Sequence, residues 1–286
     1  MEKTTKHKKK TGWILYAVFG ISLLAVIIFA VSLARELYIN KQGRNYYSSM
    51  TNSIETRQRS FPENTTDTVG RGSRILPNGS GRSIDSSTRI EDEEEDEYLW
   101  LPYVDFESLD EQYPGISAWI QLEGTSLDYP IMRWTDNSFF LSHLPDGSNH
   151  RNGSVFLDFR NSPDFSDINT LIYAHTAQSD DMFGILKNYR VQSFYEENPV
   201  MYIFTPYGDF ELVLFAGYLL DSGYETPPLN FADEDAFENH VADIKRRSVF
   251  FSDVTAQRGD RIVSLCTCAY DYNNARLIIV GKLVEF

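Results

Sequence analysis

The sequence predicts a mainly β fold: an eight-stranded β-barrel with peripheral helices, preceded by one transmembrane helix and a disordered linker. Three observations support this architecture. An uncharged apolar run lies near the N-terminus, a long polar stretch follows it, and in the C-terminal part short aromatic and β-branched runs alternate with turn residues. About eight such runs with few helices in residues 98–286 fit a closed or nearly closed barrel.

The apolar run covers residues 13–34 and contains no charged side chain. As a helix it would be roughly 33 Å long, enough to cross the hydrocarbon core of a bilayer. Five lysines lie in residues 1–12, whereas only Arg35 and Glu36 follow closely, so we expect a cytoplasmic tail and an extracellular C-terminal part in a single-pass cell-membrane protein. Residues 32–34 also resemble a signal-peptide cleavage site, but the run is long for that role, which favours an uncleaved anchor.

We predict that residues 35–97 form a flexible extracytoplasmic linker. From residue 41 this stretch is rich in Ser, Thr, Asn, Arg and Gly, shows no apolar periodicity and ends in an acidic run at 91–97. Such a segment cannot bury enough apolar surface to offset the entropy of ordering it. The folded domain is then expected at 98–286, where 28 acidic residues outnumber 12 basic ones, which argues against nucleic acid as a partner.

Hydrophobic patterning divides this domain into short strands and three helices. Two strands separated by a turn are predicted within 116–131, and further strands at 154–158, 170–174, 200–204, 209–216, 261–268 and 276–285. The predicted helices are 106–112, 181–188 and 233–247, the last with Phe237, Val241 and Ile244 on one face.

Three chemically distinct side chains stand at predicted strand ends. Cys268 closes one strand, and the polar turn at 271–274 leads into the next, so that a hairpin would place Arg276 beside Cys268. His175 follows another strand, and strand ends are where binding sites concentrate. A thiol can attack a carbonyl, an imidazole can protonate the leaving amine, and a guanidinium can stabilise the oxyanion. Taken singly, each of these residue types is more often structural than catalytic.

The chain has two cysteines, Cys266 and Cys268. Two residues apart in a strand they would face the same side, in a geometry that closes a disulfide poorly. No further metal ligand is apparent nearby, so free thiols are expected. Cys266 lies deeper in the strand and is expected to be an inert core thiol with a raised pKa, whereas Cys268, the last residue before the turn, is the expected nucleophile.

Two segments resemble the signature motifs of the sortases, the cysteine transpeptidases of the Gram-positive cell surface. Residues 171–175 (LIYAH) resemble the histidine motif, and residues 264–268 (SLCTC), with Arg276 eight residues on, are similar to the cysteine and arginine motif. The resemblance extends over nearly all of 98–286 and is most like class B, which carries a helix before the cysteine strand where we predict one at 233–247. Ala174, Thr176, Ser264 and Cys266 depart from the usual family pattern, which leaves the exact recognition sequence open.

The resemblance implies a catalytic domain in which Cys268 attacks a Thr carbonyl of a sorting signal and forms a thioacyl-enzyme. His175 would protonate the leaving amine and deprotonate the incoming one, and Arg276 would hold the oxyanion or the substrate backbone. By the same similarity, the substrate groove would be lined by Asn137, Leu141 and Thr267.

The implied partners are secreted proteins with a C-terminal sorting signal, an amine of the peptidoglycan precursor or of a pilin, and the bilayer. No metal-ligand set or nucleotide motif is visible, so no cofactor is expected, although some class A relatives depend on calcium. Two alternatives remain: a class B-like pilus polymerase that uses a pilin lysine, and a non-catalytic barrel that binds the cell wall. The chain contains no Asp-Pro pair, which disfavours the pilin-specific class C enzymes.

Overall fold

The computed structural model describes residues 4–52, 54–59, 99–176, 180–221, 227–268 and 275–286. The chain divides into two compact units, Met1–Met50 and Thr51–Phe286.

The first unit is a single long helix, α1 (Thr4–Thr51). Within it, Tyr16–Thr51 contains a stretch with a mean hydropathy of 2.7 that is long and apolar enough, by length and composition, to cross a membrane. The apolar side chains of the predicted transmembrane segment are largely exposed in the helix. It is the only such helix among the described residues.

Helix α1 and the strand that follows it extend to residue 59, into the segment predicted as a linker at 35–97. The helix continues to Thr51 because the residues after the apolar run include the helix formers Arg, Glu, Leu, Lys and Gln. Strand β1 (Glu55–Arg59) then pairs antiparallel with β2 (Leu99–Tyr103) in a separate two-stranded sheet. The predicted linker between residues 60 and 98 lies outside the described residues.

The remaining eight strands form a closed barrel, as predicted from the sequence. They are β3 (Ile116–Gln121), β4 (Asp128–Met132), β5 (Val155–Leu157), β6 (Asn169–Ala174), β7 (Val200–Thr205), β8 (Gly208–Asp221), β9 (Ile262–Cys268) and β10 (Ala275–Glu285). Around the barrel their order is β10-β8-β7-β3-β4-β5-β6-β9. The β4–β5 and β6–β9 pairs are parallel and the other strand pairs are antiparallel.

In the described part of the chain after α1, three α-helices accompany the barrel: α2 (Phe106–Gln112), α3 (Gln192–Glu197) and α4 (Glu234–Arg246). Helices α2 and α4 were expected from the sequence, whereas α3 was not. The helix expected at 181–188 is a 3-10 helix, Phe183–Arg190, and a second 3-10 helix covers Phe139–Leu141.

The formation of helix α4 is explained by its own local sequence, which supplies a capping residue and an apolar face. The Asp233 carboxylate caps the helix by accepting a hydrogen bond from the backbone N–H of Ala236 at 2.8 Å. Phe237, Val241 and Ile244 are buried, which confirms the predicted apolar face. They pack in one cluster with residues of β8, β9 and β10, and Cys266 of β9 belongs to that cluster.

Candidate active site

Strand β9 runs between β6 and β10, and its end brings three predicted site residues to one region of the barrel. In the parallel β6–β9 pair Ala174 lies opposite Thr267, and the next residues along these strands are His175 and Cys268. On the other side, Arg276 lies directly opposite Cys268 in the antiparallel β9–β10 pair. The backbone of Cys268 is therefore flanked by the end of one strand and the start of the other. The side chain of Cys268 is outside the described part of the structure.

His175 is held from a segment distant in sequence. Its Nε2 atom lies 2.7 Å from the carbonyl oxygen of Leu141, the last residue of the 3-10 helix Phe139–Leu141. Because a carbonyl oxygen only accepts hydrogen bonds, this contact assigns the proton to Nε2. The preceding carbonyl, that of Phe140, accepts a hydrogen bond from the backbone N–H of Ser154 at 2.9 Å, which helps to hold this segment in place.

His175 and Thr176 are joined to residues 182 and 183 by backbone contacts. The Phe183 N–H donates to the His175 carbonyl at 3.3 Å, and Thr176 forms an antiparallel bridge with Met182. Met182 has φ 53° and ψ −131°, a conformation strained for a residue with a side chain. It is kept there by burial and by the Tyr129 hydroxyl, which accepts from the Met182 N–H at 3.0 Å.

Two of the predicted groove residues lie on the segment that reaches His175. Asn137 is half-buried, and its amide is used twice: Nδ2 donates to Asp158 at 2.9 Å and Oδ1 accepts from the Phe159 N–H at 3.0 Å. The side chain of Leu141 is 43% exposed. The structure thus places Leu141 against His175, with Asn137 four residues earlier on the same segment.

Thr267 is placed differently. Its side chain is buried, and its hydroxyl is hydrogen-bonded to that of Thr176. Side chains alternate along a strand, so Thr267 faces away from the side of β9 that carries Cys266. This contact ties β9 to the loop that follows His175.

Asp158, which was not among the predicted site residues, is the centre of a buried polar network. Its side chain is fully buried, and it accepts hydrogen bonds from Asn137, from the backbone and guanidinium of Arg160, and from the Tyr173 hydroxyl. Burial by itself would raise the pKa of Asp158, but the hydrogen bonds from Arg160 and Asn137 outweigh it and hold the pKa below its usual value.

Comparison with known proteins decides the family. A scan against models of known protein families gave no match. A curated relative, Sortase B of Staphylococcus aureus (strain NCTC 8325 / PS 47), is 34% identical over 182 residues, which cover 63% of this chain and 75% of the relative.

The chain belongs to the class B sortases. It is therefore an enzyme, a cysteine transpeptidase of the sortase type.

Solved structures of sortase B share the barrel. The Staphylococcus aureus sortase B–substrate complex has a TM-score of 0.60 and 34% identity, over 63% of this chain and 84% of that one. A sortase B complexed with triglycine has the same TM-score and identity, over 63% of this chain and 85% of that one.

In this sortase Cys266 occupies a position unsuited to a nucleophile. It is a free thiol, 2% exposed, within the cluster that α4 covers. Burial raises the pKa of Cys266 to about 12, and the nearby Arg276 only partly offsets that effect. The prediction of a buried core thiol with a raised pKa is confirmed, and its lack of reactivity stays a prediction.

Sequence patterns missed the supporting groups of the site. The Leu141 carbonyl is a backbone atom, which carries no residue signature, and Asp158 reaches its partners only in the folded chain. Among the described residues, no group of three or more His, Cys, Asp or Glu side chains is arranged to hold a metal ion.

Proposed function

We propose that this sortase is a membrane-anchored transpeptidase that cleaves the C-terminal sorting signal of secreted proteins through a thioacyl-enzyme and joins them to an amine of the cell-wall precursor. The observation that carries the proposal is the register around β9, in which Cys268 lies opposite Arg276 on one side and beside the end of β6, which His175 directly follows, on the other. A nucleophile, an acid/base and a cation are thereby available to one substrate carbonyl.

In the first step the Cys268 thiolate attacks the carbonyl carbon of a Thr in the sorting signal. A sulfur–carbon bond forms, and the tetrahedral oxyanion is stabilised by Arg276. When the intermediate collapses, the peptide carbon–nitrogen bond breaks, and the imidazolium of His175 gives its proton to the leaving amine. The products are a thioester on the enzyme and the released C-terminal fragment of the substrate.

In the second step an amine attacks the thioester. The new amide bond forms, the sulfur–carbon bond breaks, and the proton released by the amine returns to His175. Because the Leu141 carbonyl accepts from Nε2, the nitrogen that exchanges this proton is Nδ1. A sortase B is known in complex with triglycine, which supports a peptide amine as the acceptor.

Substrate binding is assigned to the surface beside His175. The exposed Leu141 side chain offers an apolar contact, and Asn137 is fixed by hydrogen bonds at both ends of its amide. Thr267 would support the groove from below, because its side chain is buried and its hydroxyl is hydrogen-bonded to that of Thr176. The complex of Staphylococcus aureus sortase B with its substrate supports a peptide ligand in general.

The proposed location is the cell membrane, with residues 13–34 as a single-pass anchor and the barrel outside. The support is the apolar stretch of α1 and the lysines that precede it. The relatives are sortases, which are enzymes of the cell surface.

The test uses the full chain in nanodiscs and a panel of peptides that carry the C-terminal sorting signals of secreted proteins from the same cell. Without an added amine, intact mass should rise by the thioacyl fragment in the wild type and in Cys266→Ser, but not in Cys268→Ala. Arg276→Lys should be strongly impaired, because a single ammonium cannot reproduce the guanidinium fork.

Adding amines then separates the alternatives. Consumption of the acyl-enzyme by a cell-wall precursor peptide supports wall anchoring, and consumption only by a pilin lysine peptide would instead indicate a pilus polymerase. A wild-type chain that binds peptide but gains no mass would overturn the enzymatic proposal in favour of a wall-binding barrel.

A further inference from the structure

The strongest unassigned feature outside the three site residues is the carboxylate of Asp158, which directly follows β5. It is fully buried, and both of its oxygens are used. Arg160 contributes its backbone N–H at 3.0 Å, Nε at 2.9 Å and Nη2 at 2.7 Å, while Asn137 Nδ2 donates at 2.9 Å and the Tyr173 hydroxyl at 3.1 Å. A fully satisfied buried network of this kind holds its members in one arrangement.

Two of these partners belong to the two segments that meet at His175. Asn137 precedes the 3-10 helix that ends with Leu141, whose carbonyl contacts His175 Nε2. Tyr173 lies on β6, two residues before His175. One buried carboxylate therefore links both sides of the contact between the imidazole and the carbonyl.

The chemistry of the network requires an ionised carboxylate. All five hydrogen bonds come from donors, and Asp158 in its charged form only accepts. An amide at this position would turn an NH₂ group toward one of those donors and remove the charge that pairs with Arg160. An Asn substitution thus keeps the shape of the side chain but breaks the network at its centre.

We propose that Asp158 is a positioning residue of this sortase: through Asn137 and Tyr173 it fixes the Leu141 carbonyl against His175. The inference rests on the proposed function, since it concerns how the imidazole is held for proton transfer. Asp158 itself touches neither His175 nor the proposed nucleophile in the described contacts.

The matched control is Asp167, on the same β5–β6 connection. Its carboxylate also accepts from an asparagine, Asn161 Nδ2 at 2.8 Å, and from a backbone N–H, that of Ser162 at 2.7 Å. Neither bond leads to Leu141. Asn161 Oδ1 in turn accepts from the Leu171 N–H of β6 at 2.9 Å, so Asp167→Asn imposes a similar change of charge and hydrogen bonding that reaches β6 but not the segment of Asn137 and Leu141.

The experiment measures two quantities on the full chain in nanodiscs with ¹⁵N-labelled histidine. The first is kcat with a sorting peptide and an amine. The second is the ring N–H resonance of His175. The hydrogen bond to the Leu141 carbonyl is expected to slow the exchange of this proton with water, and the resonance is assigned by its loss in His175→Gln. In Asp158→Asn we expect kcat to fall roughly 10- to 100-fold and this resonance to disappear, as misplacement of a catalytic group predicts. Asp167→Asn should retain both.

Arg160→Gln is the replacement variant if Asp158→Asn does not fold. The Arg160 side chain is half-exposed, and its loss leaves the Asp158 carboxylate in place. It should weaken the His175 resonance and lower kcat to a smaller extent. Equal losses of kcat in Asp158→Asn and Asp167→Asn, or a His175 resonance that survives Asp158→Asn, would overturn the proposal. If the wild type forms no acyl-enzyme, the proposed function fails, but the resonance still decides the role of Asp158.

Discussion

His175 Nε2 lies 2.7 Å from the carbonyl oxygen of Leu141, a residue 34 positions earlier in the chain. The contact fixes which ring nitrogen carries a proton. In the proposed mechanism it leaves the other nitrogen for proton exchange and gives the 3-10 segment that ends at Leu141 a catalytic role through a backbone atom.

A substitution at Gly153 can displace that carbonyl without replacing Leu141. Gly153 has φ +55°, and an added Cβ would clash with the Phe140 carbonyl oxygen and lie 2.7 Å from the Leu141 carbonyl carbon. We expect Gly153→Ala to displace this segment and lower kcat by roughly 100-fold. The control is Gly147→Ala, with φ +80° and open space around the new Cβ, which carries only the strain of a left-handed backbone. Equal kcat values in the two variants would contradict a role for the Leu141 carbonyl.

The two cysteines should respond oppositely to substitution. Cys268→Ala should abolish acyl-enzyme formation, and His175→Ala should be nearly as damaging. Cys266→Ser should retain most activity, because the Cys266 thiol is buried and its pKa is raised. Intact mass after incubation with a sorting peptide provides the measurement. An adduct that persists in Cys268→Ala and is lost in Cys266→Ser would reverse the assignment.

The stability of the fold should depend on Cys266 at alkaline pH. Its pKa rises from 9.0 to about 12 on burial, so above pH 9 the thiol loses its proton in the unfolded chain while it keeps it in the folded one. The unfolded state then binds fewer protons, and the free energy of unfolding falls by about 1.4 kcal/mol per pH unit up to about pH 12. Between pH 8 and 10.5, denaturant titrations should show a fall that is roughly 2 kcal/mol smaller in Cys266→Ala. Identical pH slopes in the two proteins would refute this linkage.

The N-terminal helix should remain in the mature protein. Residues 13–34 are longer than the apolar core of a cleaved signal, and α1 continues beyond them to Thr51. We expect mass spectrometry of the protein from native membranes to find a chain that still contains residues 13–34. A mature N-terminus near Arg35 would show that the segment is a signal peptide.

Elements whose cause is local could be predicted from the sequence alone. Alternating apolar residues predicted the strands, and the helical spacing of Phe237, Val241 and Ile244 predicted α4, which the structure confirms. The place of Cys266 within its apolar strand also predicted a buried thiol two residues before the proposed nucleophile.

Features that depend on contacts between segments distant in sequence are visible only in the folded protein. Strand β1 has a polar sequence without apolar alternation, and it exists as a strand through its pairing with β2. The contact between His175 and the Leu141 carbonyl, and the hydrogen bonds that Asp158 accepts from Asn137 and Tyr173, likewise join segments that periodicity treats separately. Periodicity reports which face of a segment is buried, whereas hydrogen bonds across the barrel depend on which segments the closed sheet brings together.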